Sequence, residues 1–372
     1  MTLLMLLLLL LPPGGDAAAP ISCYNDRGAP VDWFYVYKLP RQVEGVEGVE
    51  GEEGLRYLLL EKDSEQWAEG AVDINNTRGA VGRTVDQLYS QSSDVAYVLY
   101  NDQSPVESSA AQRSSGHTKG VVVLDKGQGF WLVHSTPHFP PPRQTGNYSY
   151  PETGLHYGQS FLCVTFPLER FQTIGEQLHI NQPHVFDCHL PEALASLVPA
   201  LASLCPTPPY PQRPHPPPLT PTPSNRSVVL SSSQGTHFIS FAKGADFNDD
   251  LYHGWVSPSL CSPLLVQFWV RSSGVLPSDC SGDWAVLNVQ QLSPGGVSFP
   301  SSRDHSKWAV SPQGQGQGQE PGGWVCVGDI NRNQAEEHRG GGTVCVQDPH
   351  VWKAYRSAAE LCEDCGGHSS TC

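Results

Sequence analysis

Residues 206–223 (PTPPYPQRPHPPPLTPTP) are more than half proline, and no other stretch limits the fold of this chain as strongly. Proline fixes φ and has no N–H to donate, so the segment enters neither a helix interior nor a central strand and reads as an extended, solvated linker or loop. It divides the 372 residues into parts 20–205 and 224–361, each of domain size, with a cysteine-rich tail at 362–372. Apolar runs of strand length fall at 31–38, 96–100, 120–125, 129–135 and 159–166, then at 264–270, 284–289 and 324–330. Helices are predicted at Pro191–Leu204 and Val351–Leu361. Strands and helices interspersed on this scale predict a mixed α/β fold. Two further low-complexity stretches, 44–53 (EGVEGVEGEE) and 313–319 (QGQGQGQ), read as loops.

The N-terminus carries an address. Leu3 to Leu11 is an unbroken apolar run, ended by Pro12 and Pro13 and followed by Ala17, Ala18 and Ala19. It is shorter than the ~20 residues a bilayer span needs, so residues 1–19 read as a signal peptide, with only the α-amine of Met1 as basic flank. No other stretch approaches spanning length, and no membrane span is expected. Eleven cysteines in a secretory chain imply disulfides, with an odd one left over. Acceptor sequons at Asn75, Asn147 and Asn225 predict glycosylation.

The formal charge of −15 at pH 7 excludes a strongly basic nucleic-acid binder at that pH. Fourteen histidines change this in an acidic compartment. Their ordinary pKa of about 6.5 makes nearly all of them cationic near pH 5. That lifts the formal charge to −1 before any carboxylate is protonated. A polyanionic substrate is then admissible.

The chemistry is concentrated in a repeated His-x-Lys. Gly116-His117-Thr118-Lys119 leads into the apolar run 121–124, and Asp304-His305-Ser306-Lys307-Trp308 leads into Ala309 and Val310. In extended chain, residues i and i+2 share a face, so each motif aims an imidazole and an ammonium at one point. Two such motifs around one anion supply what metal-free phosphodiester cleavage needs. One imidazole attacks phosphorus, the other protonates the leaving oxygen, and the lysines hold the non-bridging oxygens. A single H-x-K carries little information; one in each part of the chain carries more. Two surface histidines beside surface lysines would give the same spacing.

The wording around these motifs is more specific. VDWFYVYKLP (31–40), GHTKGVVVLD (116–125), GFWLVHSTPHFPPP (129–142), SFAKGADFNDDLYHGW (240–255), DHSKW (304–308) and WVCVGDINRNQAEEHRGGGTVC (324–345) resemble the acid deoxyribonuclease II family. The resemblance runs from about Cys23 to Trp352. It implies a diverged phospholipase D-like fold, in which two related halves of one chain form a pseudo-dimer with the active site between them. It also implies a lysosomal endonuclease that reaches its compartment by the secretory pathway, with some secretion. Such an enzyme cuts double-stranded DNA from engulfed or apoptotic cells, leaving 3′-phosphate and 5′-hydroxyl ends. No metal and no cofactor are implied, and a homodimer is among the expected assemblies.

The resemblance places catalysis on His117, Lys119, His305 and Lys307. Superfamily analogy makes His117 the nucleophile and His305 the acid, although the residues themselves leave the order open. Departures from the wider superfamily matter. Its Asp falls seven residues after His, where this chain has Leu124 and Pro312; Asp125 is one place late. The downstream Asn position of the first half is His134, and Gly328-Asp329-Ile330-Asn331 resembles Gly-Ser-x-Asn in the second. His134 and Asn331 are therefore the expected supporting phosphate contacts. The resemblance also suggests the bridges Cys23–Cys163, Cys326–Cys345, and Cys280 to either Cys362 or Cys365.

Other readings lose ground. Cys362, Cys365, His368 and Cys372 have a spacing like a zinc knuckle, but an oxidising lumen favours disulfides or a ragged tail. No H-E-x-x-H, Walker loop or G-x-S-x-G is present. Arg339 with Gly340 to Gly342 suits either a phosphate contact or a plain turn. Trp33, Trp131, Trp255 and Trp308 are candidates for base stacking, Trp308 foremost. The alternatives to a nuclease are a lumenal phosphodiesterase of the same fold acting on lipid or another substrate, and a catalytically silent nucleic-acid binder. Both H-x-K pairs are intact, which disfavours the silent binder.

Overall fold

The computed structural model describes residues 19–41, 54–90, 94–106, 115–205, 223–314 and 322–372. The apolar run of the signal peptide, the 44–53 insert, nearly all of the proline-rich segment and most of the Gly/Gln stretch lie outside them.

A small ladder pairs β1 (Cys23–Tyr24) with β2 (Pro30–Val31). An open eight-stranded sheet follows, built from β3 (Trp33–Lys38), β4 (Tyr57–Glu61), β5 (Ala68–Glu69), β6 (Ala96–Asn101), β7 (Lys119–Leu124), β8 (Gln128–His134), β9 (Gln159–Pro167) and β10 (Val185–His189). Its order is β10-β6-β7-β8-β9-β3-β4-β5. A second sheet of ten strands uses β11 (Asn225–Ser231), β12 (His237–Lys243), β13 (Leu264–Gln267), β14 (Val286–Leu292), β15 (Phe299–Pro300), β16 (Trp308–Val310), β17 (Trp324–Gly328), β18 (Gly341–Gln347), β19 (Ala359–Glu363) and β20 (Ser369–Thr371). Its order is β11-β12-β18-β17-β16-β13-β14-β19-β20, with β15 beside β14. Neither sheet closes into a barrel, and with the helices they make a mixed α/β architecture. Both contain a four-strand run in one direction along the chain, β6-β7-β8-β9 and β13-β16-β17-β18. In each run, an H-x-K leads into the second strand.

Side chains alternate across a strand, and the two faces of each sheet go to different cores. Tyr35, Tyr37, Tyr100, Val122 and Trp131 of the first sheet share a buried cluster with Trp308, Val310, Val325, Val327 and Val344 of the second. Between the sheets, the same cluster takes α2 (Arg170–Asn181) through Phe171, Ile174 and Leu178, and α7 (Pro349–Ala358) through Val351, Ala354 and Tyr355. The opposite face of the first sheet, with Phe34, Val36, Val121 and Phe130, packs on α1 (Ala80–Ser90). The opposite face of the second, with Val266 and Ala309, packs on Tyr252, Val256 and Leu260.

Several boundaries differ from the sequence reading. The single helix expected at 191–204 is two short ones, α3 (Glu192–Ala195) and α4 (Pro199–Ala202). Pro199 cannot continue a preceding helix, and Val198 before it is non-helical at φ −131°, ψ 60°. The second expected helix starts earlier, because Asp348 caps it by accepting the N–H groups of His350 and Val351 at 2.9 and 3.0 Å. It ends at Ala358, where β19 begins. The run 264–270 stops being a strand after Gln267; the Trp269 N–H donates to the Asn331 side chain at 3.1 Å instead of to a neighbouring strand. The stretch 362–372, expected as a tail, completes β19 and supplies β20 at the edge of the second sheet.

Disulfides join Cys23–Cys163, Cys188–Cys205, Cys280–Cys365, Cys326–Cys345 and Cys362–Cys372; Cys261 is the cysteine outside these five bridges. Cys280 thus takes Cys365 rather than Cys362. All three cysteines of the knuckle-like spacing are consumed. Of the sequon asparagines, Asn75 and Asn147 are exposed and Asn225 is half-buried. Among the described residues, no helix is long and apolar enough to cross a membrane.

Candidate active site

Each H-x-K is fastened by its backbone to the other part of the chain. The His117 N–H donates to the Gly340 carbonyl at 2.8 Å, and the His305 N–H donates to the Gly158 carbonyl at 2.8 Å. The first contact demands close approach. A Cβ added at Gly116 or Gly340 would fall 1.9 or 2.1 Å from the Asn181 carbonyl oxygen, so only glycine fits there.

Around His117 lies a buried cluster of charge. Its Nδ1 is 3.3 Å from Oε2 of Glu336, and its Nε2 is 3.7 Å from Oδ2 of Asp102. Lys119, 1% exposed, donates to the other Asp102 oxygen. Arg339 reaches both carboxylates, Asp102 at 3.3 Å and Glu336 at 3.4 Å. Glu336 belongs to α6 (Gln334–Glu337), whose N-cap Asn333 accepts the Glu336 N–H at 3.0 Å. Below it, the Lys243 ammonium donates to the carbonyls of Glu336, Glu337 and Arg339 at 2.7, 3.1 and 2.8 Å. Burial lowers Lys243 to about 8, where it is still largely charged at pH 5.

These neighbours set the protonation states. Burial lowers the His117 pKa, against the pull of Glu336 and Asp102, while Lys119 adds to the lowering. Burial alone would raise Asp102, but Lys119, His117 and Arg339 hold its carboxyl well below the ordinary range. Glu336 is also held low, with His117 and Arg339 outweighing its burial.

His305 has a different environment. Its Nδ1 lies 2.9 Å from the Ser135 carbonyl oxygen and 3.2 Å from Oε1 of Gln159. A carbonyl only accepts, so Nδ1 carries the hydrogen and Nε2 keeps the titratable lone pair. Burial, then the charges of Lys307, Lys119 and His117, push its pKa well below the ordinary value. Lys307 donates to the His305 carbonyl at 2.6 Å, and burial together with Lys119 lowers its own pKa strongly. The two motifs lie within electrostatic reach of each other: the charge of Lys119 lowers both basic groups of the second. Behind them, buried Asp304 accepts from Ser306 and from the Tyr37 hydroxyl, the latter at 2.5 Å, and burial raises its pKa. That bond ties β3 to the second motif.

His134, at the end of β8, is fully buried against Phe161 and Phe139, with ring centroids 5.7 and 5.2 Å away. Its Nδ1 accepts the Thr136 N–H at 3.2 Å, so its hydrogen sits on Nε2, which has no partner among the described residues. Burial and Lys119 keep the ring neutral. Asn331 is placed otherwise. Its Oδ1 is engaged by the Trp269 N–H, and Trp269 in turn lies edge-on to His305 at 5.1 Å. Nearby, burial raises the Asp329 carboxyl to about 7 while it accepts the Gly342 N–H at 3.1 Å.

Two members of the cluster escape the sequence reading: Asp102 lies two residues after the apolar run 96–100, and Glu336 sits in a polar stretch. Arg339, left open there between a phosphate contact and a turn, pairs with both carboxylates. Asp125, the nearest sequence candidate for the superfamily Asp, lies at the far end of β7 and closes the turn there. It accepts the N–H groups of Gly127 and Gln128 at 2.7 and 3.0 Å. Trp308, despite its place beside Lys307, is fully buried with Nε1 3.4 Å from the Tyr37 hydroxyl, and is closed to a base. Trp33 and Trp131 are buried as well, and Trp255 packs on Phe241 and Phe247.

Residues 22–365 match the family Deoxyribonuclease II. The chain is 46% identical to Deoxyribonuclease-2-alpha of Rattus norvegicus, covering 94% of this chain and 95% of the relative. It is 35% identical to Deoxyribonuclease-2-beta of Homo sapiens over 94% and 92% of the two chains. Plancitoxin-1 of Acanthaster planci is 34% identical over 93% and 92%. On a match of this identity and length, the chain belongs to the deoxyribonuclease II family.

Proposed function

We propose that this chain is a lysosomal acid endonuclease that hydrolyses DNA without a metal, leaving 3′-phosphate and 5′-hydroxyl ends. Family membership supports the substrate, and the electrostatic reach of Lys119 to both basic groups of the second H-x-K supports the mechanism. The two halves are read as a phospholipase D-like pseudo-dimer, a reading favoured by the matching strand runs and by the reciprocal His117–Gly340 and His305–Gly158 bonds. The five disulfides suit the oxidising secretory route to a lysosome. There the enzyme would digest DNA from engulfed or dying cells.

In the first step Nε2 of His117 attacks phosphorus and the bond to the 5′-oxygen breaks. His305 gives its proton to that oxygen, which leaves as a hydroxyl. The product on the enzyme is a 3′-phosphohistidine. In the second step His305, now neutral, takes a proton from water as the water oxygen attacks phosphorus. His117 is released and the DNA end is a 3′-phosphate. Glu336 beside Nδ1 of His117 offsets the positive charge that forms on the attacking ring. Lys119, Lys307 and the unpartnered N–H of His134 face the non-bridging oxygens.

Nicking of supercoiled plasmid at pH 5 in EDTA tests the reading. The nicks should block polymerase extension until a phosphatase removes the 3′-phosphate. No nicking in EDTA, or ends that extend directly, would remove it.

A further inference from the structure

Trp269 and Tyr157 are large aromatic residues that belong to none of the three buried clusters. Both are only half-buried, and they meet beside the active site with ring centroids 4.6 Å apart at 74°. Trp269 also touches His305, 5.1 Å away at 67°. The exposed guanidinium of Arg271 lies 5.9 Å from each ring and donates to the Tyr157 hydroxyl at 3.0 Å. The backbones of both rings are tied to the catalytic apparatus. Tyr157 precedes Gly158, which accepts the His305 N–H, and the Trp269 N–H is held by Asn331.

A tryptophan kept out of every core, with its backbone anchored and its edge on a catalytic imidazole, needs an explanation other than packing. A ring pair topped by an arginine offers π-faces and positive charge together, the combination that holds an unpaired base and its phosphate. Its position says which base. His305 serves the leaving 5′-oxygen, so whatever lies against Trp269 is the nucleotide carrying that oxygen.

We infer that Trp269, Tyr157 and Arg271 form a stacking platform for the base of the leaving nucleotide, swung out of the helical stack. This inference rests on the proposed endonuclease reading and on His305 as the acid. It also gives Asn331 a positioning role, through Trp269, beside the phosphate contact expected of its amide nitrogen.

A cycle of protein and substrate deletions tests it. Single-stranded oligonucleotides would carry one abasic residue on either side of a mapped cleavage site, and wild type would be compared with Trp269→Ala, Trp269→Phe and Arg271→Ala. Loss of one stacked base corresponds to about 5- to 150-fold in KM. Wild type should lose that factor when the leaving nucleotide is abasic. Trp269→Ala should lose it on intact DNA and show no further loss on the abasic substrate, and Trp269→Phe should recover most of it. Arg271→Ala, an exposed change that spares the fold, should weaken intact DNA more than abasic DNA. Additive penalties from protein and substrate, or coupling only to the nucleotide that keeps the 3′-phosphate, would overturn the platform while leaving the endonuclease intact. Failure of wild type to cut any DNA would overturn both.

Discussion

Glu336→Gln isolates the charge behind the attacking histidine. The amide keeps the shape of the side chain, and its oxygen can still accept from Nδ1, so the ring stays oriented while the negative charge is lost. At 3.3 Å, and with an effective dielectric constant of ~20, a full charge pair is worth about 5 kcal/mol, which is a ceiling. Asp102 remains 3.7 Å from the other nitrogen and retains part of that field. A loss of about 10²- to 10³-fold in kcat, or about 3–4 kcal/mol, is the expected result. The pH profile should move as well. Glu336 raises the His117 pKa, so its removal lets the ring stay neutral to lower pH, and the acidic limb of the rate profile shifts downward. Single-turnover nicking from pH 3.5 to 7 reads both effects.

Stability supplies an internal control. The Glu336 pKa is depressed on folding, so its pairing stabilises the protein above the ordinary carboxylate value and is lost as pH falls through the folded one. The variant should therefore lose more in Tm at pH 5 than at pH 3.5. A kcat within threefold of wild type and an unmoved acidic limb would refute the role given to this carboxylate.

His117→Ala and His305→Ala should each lose at least about two to four orders of magnitude in single-turnover cleavage, the scale of a nucleophile or acid–base group. A near-normal rate in either would end the paired-site mechanism. Lys119→Met should lower the rate by about 10²- to 10³-fold, as expected for one lost contact to developing charge. Its circular dichroism should stay that of the folded protein, because Arg339 and His117 still face Asp102. Wild-type cleavage by this variant would remove Lys119 from the phosphate site.

The parts of this molecule visible in the sequence are those encoded by local pattern. Runs such as 120–125 and 129–135 are continuous apolar strands because both of their faces are covered, by α1 on one side and the inter-sheet core on the other. The H-x-K pairs stand out because i and i+2 share a face in extended chain. α1 and α2 went unread although Val81, Val85 and Leu88, and Phe171, Ile174 and Leu178, carry a helical period. The pairing of the charged partners has no signature in the sequence. Asp102 meets Arg339 across 237 positions, and nothing near either residue encodes that distance. Trp269 is hidden for a related reason: it lies inside an apolar run and looks like one of its core residues. In the fold the strand stops at Gln267, and the Trp269 N–H donates to Asn331.

Acid pH acts on this protein in two separable ways. Across the whole chain, histidine protonation removes most of the −15 charge that repels a DNA backbone. At the site, His117, His134 and His305 are all held below the ordinary imidazole value, so they take up protons only at lower pH than a free imidazole. His305 must be charged to act as the acid, and the arriving phosphate anion opposes the burial and the neighbouring cations that depress it. Falling pH should therefore improve binding first and turnover second. At still lower pH His117 is itself protonated too often to attack, and the rate should fall again in a bell. Salt distinguishes the two contributions. The Debye length shrinks from ~10 Å at 0.1 M to ~3 Å at 1 M, which weakens long-range repulsion but barely reaches a proton transfer inside an enclosed pocket. Raising salt at pH 7 should recover part of the DNA binding, read by fluorescence anisotropy with the His305→Ala variant, and little of the wild-type cleavage rate. If salt alone restored the pH 5 rate at pH 7, bulk charge would be the switch and the acid role of His305 would fall.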